Sequence, residues 1–310
     1  MKQILGRLAL TLPVVWLVVS LVFLLIHIVP GDPIQQMLGD GATPADIGAL
    51  RHQYGLDLPL HTQYLRYWNG VLHGDLGNSI RLHDSVSHLI AQRYPYTLAL
   101  TLASLLVALA LALPAGMLAA VWRGRWADQL LSVVSLFGLS VPGIALGPVL
   151  ILVFAILLGW LPVSGANAGG GGIDWRYLVL PSITMGVSMA AILTRMVRTA
   201  MLEELNQDYI RTARSKGLSE AAVVLRHALP NALVPIVTVV GLQFGALLAG
   251  AIVTEKIFSW PGLGRLVVDA ISNRDYALVQ GCLLSIGLTY VLVNLLTDLV
   301  YRWVNPRMRV

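Results

Sequence analysis

The chain has 310 residues, 56% of them hydrophobic and only 12% charged, with a mean hydropathy of +0.74 and a formal net charge of +5. A soluble domain carries about 25% charged residues; half that share, with positive hydropathy, excludes an ordinary water-soluble globule and gives much of the surface to lipid. The positive charge then reads as cytoplasmic loops facing anionic lipid rather than as a nucleic-acid surface, and a single cysteine, Cys282, excludes an intrachain disulfide and a thiolate metal site.

Stretches free of Asp, Glu, Lys and Arg run over Leu8–Gly31, Tyr94–Trp122, Gln129–Ile173, Tyr177–Thr194, His227–Thr254 and Tyr276–Thr297. A helix needs about 20 residues to cross the hydrocarbon core. Tyr177–Thr194 reaches that length by running past Arg195 and Arg198, and Gln129–Ile173 exceeds it and breaks at Gly159-Trp160-Leu161-Pro162. Six transmembrane helices are predicted, near 8–29, 97–121, 131–158, 178–200, 233–254 and 278–301, in an all-α integral membrane protein. The apolar run of the first is too long for a signal-peptide core and is expected to stay as a span.

Orientation follows from the bases. With the N-terminus inside, the inner segments hold 13 of the 21 basic and 6 of the 16 acidic residues, net +7, and the outer segments come to net −2. This is the positive-inside pattern, clearest in Trp122-Arg-Gly-Arg-Trp126. Both termini are then cytoplasmic.

Two long polar stretches lie between spans. The outer one, about 30 to 96, opens with a turn at Pro30-Gly31-Asp32-Pro33. A helix from Thr43, its plausible cap, follows, then a second near His61–Leu72. It reads either as a structural cap on the bundle or as a docking surface. The inner one, about 203 to 230, places acids first (Glu203, Glu204, Asp208) and bases last (Arg211, Arg214, Lys216), which suits a helix dipole. Gly217 is placed to stop that helix in a left-handed cap. Ser219 caps a second short helix with Glu220 in its first turn, and Pro230 ends it. This stretch reads either as an interfacial amphipathic element or as a docking site for a cytoplasmic protein.

Several chemistries find no motif. There is no Walker A pattern, no G-x-S-x-G and no H-E-x-x-H. The seven histidines make no ligand pair, and His27, the one inside a span, reads as a histidine hydrogen-bonded within the bundle. Ionisable groups at membrane depth, which ion-coupled carriers keep, are lacking: only Asp298 and Glu255 lie near span ends. Energy for uphill transport is therefore expected from another protein. Thr184, Ser188, Thr238, Gln243 and Asn294 read as helix–helix glue or as pathway lining.

The inner stretch resembles the EAA loop of ABC importer permeases, E-A-A-x3-G-x9-I-x-L-P. Ala213, Gly217, Leu229 and Pro230 match it; Arg211, Thr212 and His227 do not. The longer string Asp208-Tyr-Ile-Arg-Thr-Ala-Arg-Ser-Lys-Gly217 is similar to the dipeptide/oligopeptide/nickel branch of that family, in which this departure is the norm. So are Val29–Pro33, Tyr54–Pro59, Gln63-Tyr64, Gly74–Ser79, Glu255–Arg265, Arg274–Tyr276 and Asn305–Arg307, so the resemblance spans the chain. It implies a type I permease: an N-terminal helix plus extracytoplasmic segment over 1–95, and a five-helix core over 96–310 carrying the coupling loop 203–230. It implies as partners a second homologous permease, two ABC ATPases holding the ATP and magnesium, and an extracytoplasmic solute-binding protein, in a bacterial cytoplasmic membrane. ATPase coupling falls to Arg211, Ala213, Arg214, Lys216, Gly217, Leu218, Glu220, Leu229 and Pro230. The outer gate or binding-protein contact falls to Glu255, Trp260, Pro261, Gly262 and Arg265, with interfacial anchoring by Trp260 as the alternative. The cargo is expected to be a dipeptide, an oligopeptide or a related solute, with glutathione, an opine or a nickel chelate as alternatives. A secondary carrier or a structural membrane protein is the other class of reading.

Overall fold

The computed structural model describes residues 2–28, 34, 43–53, 55–167, 169 and 171–304. The turn at Pro30–Pro33, the first residue of the Tyr54–Pro59 motif and the Asn305–Arg307 motif lie outside them. Among the described residues regular structure is helical, apart from one isolated antiparallel bridge between Asn78 and Ser85.

Helix α1 spans Lys2–Ile28, α2 Pro44–Gln53, α3 Leu60–His73 and α4 Val86–Val121. Helix α5 (Trp126–Ser140) leads into α6 (Gly143–Leu150), which continues as a π-helical stretch over Ile151–Leu157. Then come α7 (Trp175–Leu205), α8 (Asp208–Ser215), α9 (Glu220–Ala222), a second π stretch over Val223–Ala228, α10 (Leu229–Ile257), α11 (Leu263–Ser272) and α12 (Tyr276–Val304). Val86–Val121, Trp175–Leu205, Glu220–Ile257 and Tyr276–Val300 are long and apolar enough to cross a membrane. The α5–α6 pair counts as a fifth span, and α1 contributes the shorter apolar stretch Leu10–Leu25. Among the described residues four helices, or five with the bent pair, thus pass as spans where six were expected; the apolar stretch of α1 is the shorter one.

Three sequence expectations are corrected. The third span is not a straight helix over 131–158: it bends by 97° between Ser140 and Gly143. Pro142 forces Val141 out of helical geometry (φ −85°, ψ 113°), because the proline ring crowds the backbone before it. Glu203 and Glu204 end α7 instead of opening the loop helix. Asn206 stops α7, its Nδ2 donating back to the Leu202 carbonyl at 2.8 Å, and α8 restarts at Asp208. Pro230 does not end the second loop helix. The chain runs on as one helix from Glu220 to Ile257. A proline inside a helix clashes with the carbonyl four residues back. Here the preceding turn is widened to π geometry, with Leu229 N–H donating to the Val224 carbonyl, and Pro230 sits at the start of α10.

Packing divides the chain into two units. The first comprises Met1–Thr97 with Pro261–Leu292. Its core joins Val86, Leu89 and Ile90 of α4 to Leu263, Leu266, Val267 and Ala270 of α11 and Leu278, Val279 and Cys282 of α12. Buried polar links tie it: Ser79 Oγ donates to Asp275 Oδ2 at 2.5 Å, and the Leu263 N–H to Thr97 Oγ1 at 2.7 Å. Helix α2 opens with the expected cap, Asp46 N–H to Thr43 Oγ1 at 3.2 Å, returned by Thr43 N–H to Asp46 Oδ2 at 3.1 Å.

The second unit comprises Leu98–Trp260 with Val293–Val310. Helix α7 is its centre, with about half its residues buried: Leu180, Met189, Leu193, Val197 and Met201 among them. Gly186 lets α4 approach α7. A methyl group there would lie 2.7 Å from Val107 Cγ1 and 2.9 Å from the Ser104 carbonyl oxygen. Asp128 at the start of α5 takes a two-point grip from Arg198 of α7, Nε to Oδ1 at 2.7 Å and Nη2 to Oδ2 at 2.8 Å.

Candidate coupling loop and cleft

The loop over 203–230 is a hairpin of short helices whose inner face belongs to the core. Ile210 and Ala213 of α8, with Val223, Val224 and Ala228, are buried against Ala120 of α4, Val197, Ala200 and Met201 of α7, and Ala232 and Ile236 of α10. Ala213, a position that matches the EAA pattern, is therefore a packing contact.

Between the helices the chain reverses at Gly217, with φ +80°. A β-carbon there meets nothing within 4 Å, so the demand for glycine is conformational and not steric. Ser219 Oγ accepts the Ala222 N–H at 3.4 Å, the expected cap. Arg214 and Glu220 brace the reversal, Nε to Oε1 at 2.6 Å and Nη2 to Oε2 at 3.3 Å. Arg211 pairs with Asp208 at 3.4 Å, both exposed.

A polar strap that sequence reasoning missed anchors the loop base. Tyr209 Oη donates to Glu204 Oε2 at 2.5 Å, and Asn231 Nδ2 donates to Tyr209 Oη at 3.0 Å. It joins the end of α7 to α8 and the start of α10. The only sequence signal was a tyrosine and an asparagine at the two ends of the polar stretch.

The outer face of the hairpin is basic and apolar. Arg211, Arg214, Lys216, Leu218 and Arg226 are exposed, as is Leu225, at 54%. Leu229 is half-buried and Pro230 exposed. The proposed coupling residues are thus brought together around one turn, with Ala213 facing inward.

Of the pathway candidates, Thr184 and Ser188 of α7 and Gln243 of α10 line one cleft of about 520 Å³ with the α5–α6 elbow at Pro142 and Gly143. Among the described residues no charged side chain lines it. Thr184 Oγ1 donates to the Leu180 carbonyl at 2.8 Å, which satisfies its proton within the helix. Asn294 of α12 is half-buried and does not line this cleft.

The segment Glu255–Arg265 is more deeply placed than a gate-loop reading suggests. Glu255 and Trp260 have no exposed surface, and the Trp260 N–H donates to the Glu255 carbonyl at 2.8 Å. In this conformation the Trp260 indole meets neither water nor lipid. Gly262 precedes α11 in extended geometry, and Arg265 of α11 lies 3.7 Å from Asp269.

Residues 112–310 match the family model described as binding-protein-dependent transport system inner membrane component, and residues 1–101 match the model of the N-terminal part of such membrane components. Over 309 residues, all of this chain and 99% of the relative, it is 44% identical to the glutathione transport system permease protein GsiC of Salmonella paratyphi A and 43% identical to that of Escherichia coli K12. Among solved structures it resembles two crystal forms of the inward-facing MetNI methionine ABC transporter, with TM-scores of 0.56 and 0.57 at 21% and 22% identity, over 70% of this chain and 96% of theirs. That likeness gives the fold; the full-length identity and the family match give the membership. This chain belongs to the binding-protein-dependent transport system inner membrane components, as a multi-pass permease subunit of an ABC importer.

Proposed function

We propose that the chain forms half of the transmembrane pathway of an importer for small peptide-like solutes, glutathione first among them, and that ATPase closure reaches that pathway through the hairpin 208–230. An importer permease of this family works with an ATPase and a solute-binding protein. The finer composition we infer is a second homologous permease, two ATPases that carry the ATP and magnesium, and one extracytoplasmic binding protein. The N-terminus and the hairpin then face the cytoplasm, as the distribution of bases requires.

One observation carries the coupling reading: the helices that hold the hairpin also wall the cleft. Val197 packs against the hairpin and Ser188 lines the cleft on the same helix, α7. Nine residues at 1.5 Å each separate them, about 14 Å. On α10, Ala232 and Gln243 stand in the same relation, about 16 Å apart. Between Ser188 and Val197 α7 is unbroken by proline, so displacement of the hairpin is carried along it to the cleft wall, whereas α10 has Pro235 within the interval. The uncharged cleft suits a cargo held by hydrogen bonds and apolar contact. The full-length likeness to glutathione permeases supports the choice of cargo.

The test is co-expression of the tagged chain with its neighbouring genes, then ATPase and uptake assays with the binding protein and a panel of glutathione, dipeptides and a nickel chelate. Stimulation by glutathione or a dipeptide is expected. A chain that purifies without an ATPase subunit would overturn the reading. In the same assembly Gly217→Asp is expected to leave the complex intact and to uncouple hydrolysis from uptake; normal uptake would reject the coupling role of the hairpin.

A further inference from the structure

The first unit holds a second cavity, of about 470 Å³, walled by the outer end of α1, by α3, by the Asp75–Asn78 turn and by the start of α12. Its size falls in the range of small-molecule sites, about 300–1,000 Å³. Nothing in the coupling hairpin or the cleft uses it.

Part of its lining is spent on structure. Gln63 Nε2 donates to the Leu58 carbonyl at 2.8 Å, so its Oε1 faces His27 Nε2 at 3.1 Å. Gln280 Nε2 donates to the Val22 carbonyl at 3.0 Å. These residues close the floor. Phe23 and Tyr67 stack against each other with ring centroids 5.6 Å apart and give an aromatic wall.

Two groups are left over, and they are complementary. The Tyr67 hydroxyl is not one of them: among the described residues it has no hydrogen-bond partner, but it is closed off from solvent and so from the open cavity, to which Tyr67 gives only its ring. At the mouth stand Arg66 and Asp75, both exposed. Among the described residues the Arg66 guanidinium makes no hydrogen bond, although its charge also acts on Asp57, and Asp75 uses Oδ1 on the Gly77 N–H at 3.0 Å, which leaves Oδ2 open. The cavity therefore offers a cation and an anion beside an aromatic wall.

We propose that this cavity is a subsite for a zwitterionic peptide-sized solute, whose carboxylate meets Arg66, whose ammonium meets Asp75 and whose body lies on the Phe23 and Tyr67 rings. The proposal rests on the reading of the chain as a permease for peptide-like solutes, and it adds a holding point on the permease itself beside the membrane cleft. A guanidinium binds a carboxylate through two parallel N–H donors, and an ammonium satisfies the remaining oxygen of Asp75. A phosphatidylethanolamine headgroup offers the same pair of charges, so the test separates a free peptide from a lipid.

The experiment uses the assembled transporter in phosphatidylcholine nanodiscs, without binding protein, titrated calorimetrically with reduced glutathione and with alanyl-alanine. Saturable binding is expected. It should weaken about tenfold or more in Arg66→Gln and in Asp75→Asn, both at exposed positions where the change leaves folding intact. Uptake of glutathione by the same preparation with binding protein is the control. If uptake proceeds but neither peptide binds, or the two variants bind as the parent does, the subsite is wrong and the importer reading stands. If a short-chain phosphatidylethanolamine binds and the peptides do not, the cavity is a lipid site and the proposal is overturned. If no peptide-like solute is transported at all, the importer reading fails and the subsite fails with it.

Discussion

Arg198 grips Asp128 from 70 residues away, with two nearly parallel hydrogen bonds of 2.7 and 2.8 Å, and the carboxylate also accepts the Gly124 N–H at 2.9 Å. The basic turn Trp122–Trp126 is thereby tied to α7, the helix that carries both hairpin and cleft residues. Asp128 is 7% exposed and Arg198 29%. Removing one partner of a buried pair costs about 3–5 kcal/mol, and the partial exposure of Arg198 places Asp128→Ala near the lower end, about 3 kcal/mol. Thermal melting of the purified complex should show this, and Asp128→Ala combined with Arg198→Ala should melt closer to the parent than Asp128→Ala alone.

At Gly217 the backbone sits at φ +80° in open space. A left-handed conformation costs an ordinary residue about 1–2 kcal/mol, and Asn less. Coupled uptake is therefore expected to fall in the order glycine, asparagine, valine at this position. Equal uptake for Gly217→Asn and Gly217→Val would show that the turn conformation does not matter.

Gly186→Ala should destabilise the second unit, by about 1–3 kcal/mol of overpacking, because its methyl group meets the Ser104 backbone carbonyl as well as Val107. Gly250→Ala, with nothing within 4 Å, should be neutral to stabilising. A melting comparison of the two variants checks the claim. Identical shifts would argue against close approach of α4 and α7.

The segment between α1 and α4 should loosen in acid. Hydrogen bonds from Thr43, His52 and His88 hold the carboxyls of Asp46, Asp57 and Asp84 respectively below their ordinary value of 3.8. A carboxyl depressed in the folded state stabilises fully above its unfolded pKa, and that contribution is lost as pH falls through the folded value. Hydrogen exchange of peptides from residues 43–53, corrected for intrinsic rates, should match between pH 7 and pH 5 and speed up below about pH 3.8. Protection that persists unchanged at pH 2 would show that these contacts contribute nothing.

Gln243→Leu tests the cleft. Loss of one hydrogen bond to cargo is worth about 1 kcal/mol, about a fivefold rise in the KM of uptake, with assembly unchanged. An unchanged KM would leave Gln243 as helix–helix glue.

Much of this was readable in one dimension. Charge-free stretches gave the spans, because a charge inside hydrocarbon costs too much to be scattered at random. The hairpin was readable because its devices are local: Gly217 for a left-handed turn, Ser219 for a cap, and bases gathered near Arg214. Pro230 misled for the same reason. Its local preference to stop a helix was overridden by a widened turn that let α9 and α10 run together.

By itself, then, the sequence determined the solvent of this protein, where its long apolar helices lie and the place where the hairpin turns. The tertiary structure decided which apolar positions are buried within the chain and which stay exposed. Leu100 is fully buried while Leu106 is 67% exposed on the same helix, and hydropathy cannot separate them, since lipid and protein interior are both apolar. It also decided the burial of Trp260, the grip of Arg198 on Asp128, and the meeting of Ser188 with Gln243. Each depends on two segments far apart in the chain, and pairing over such distances is set by packing rather than by local preference.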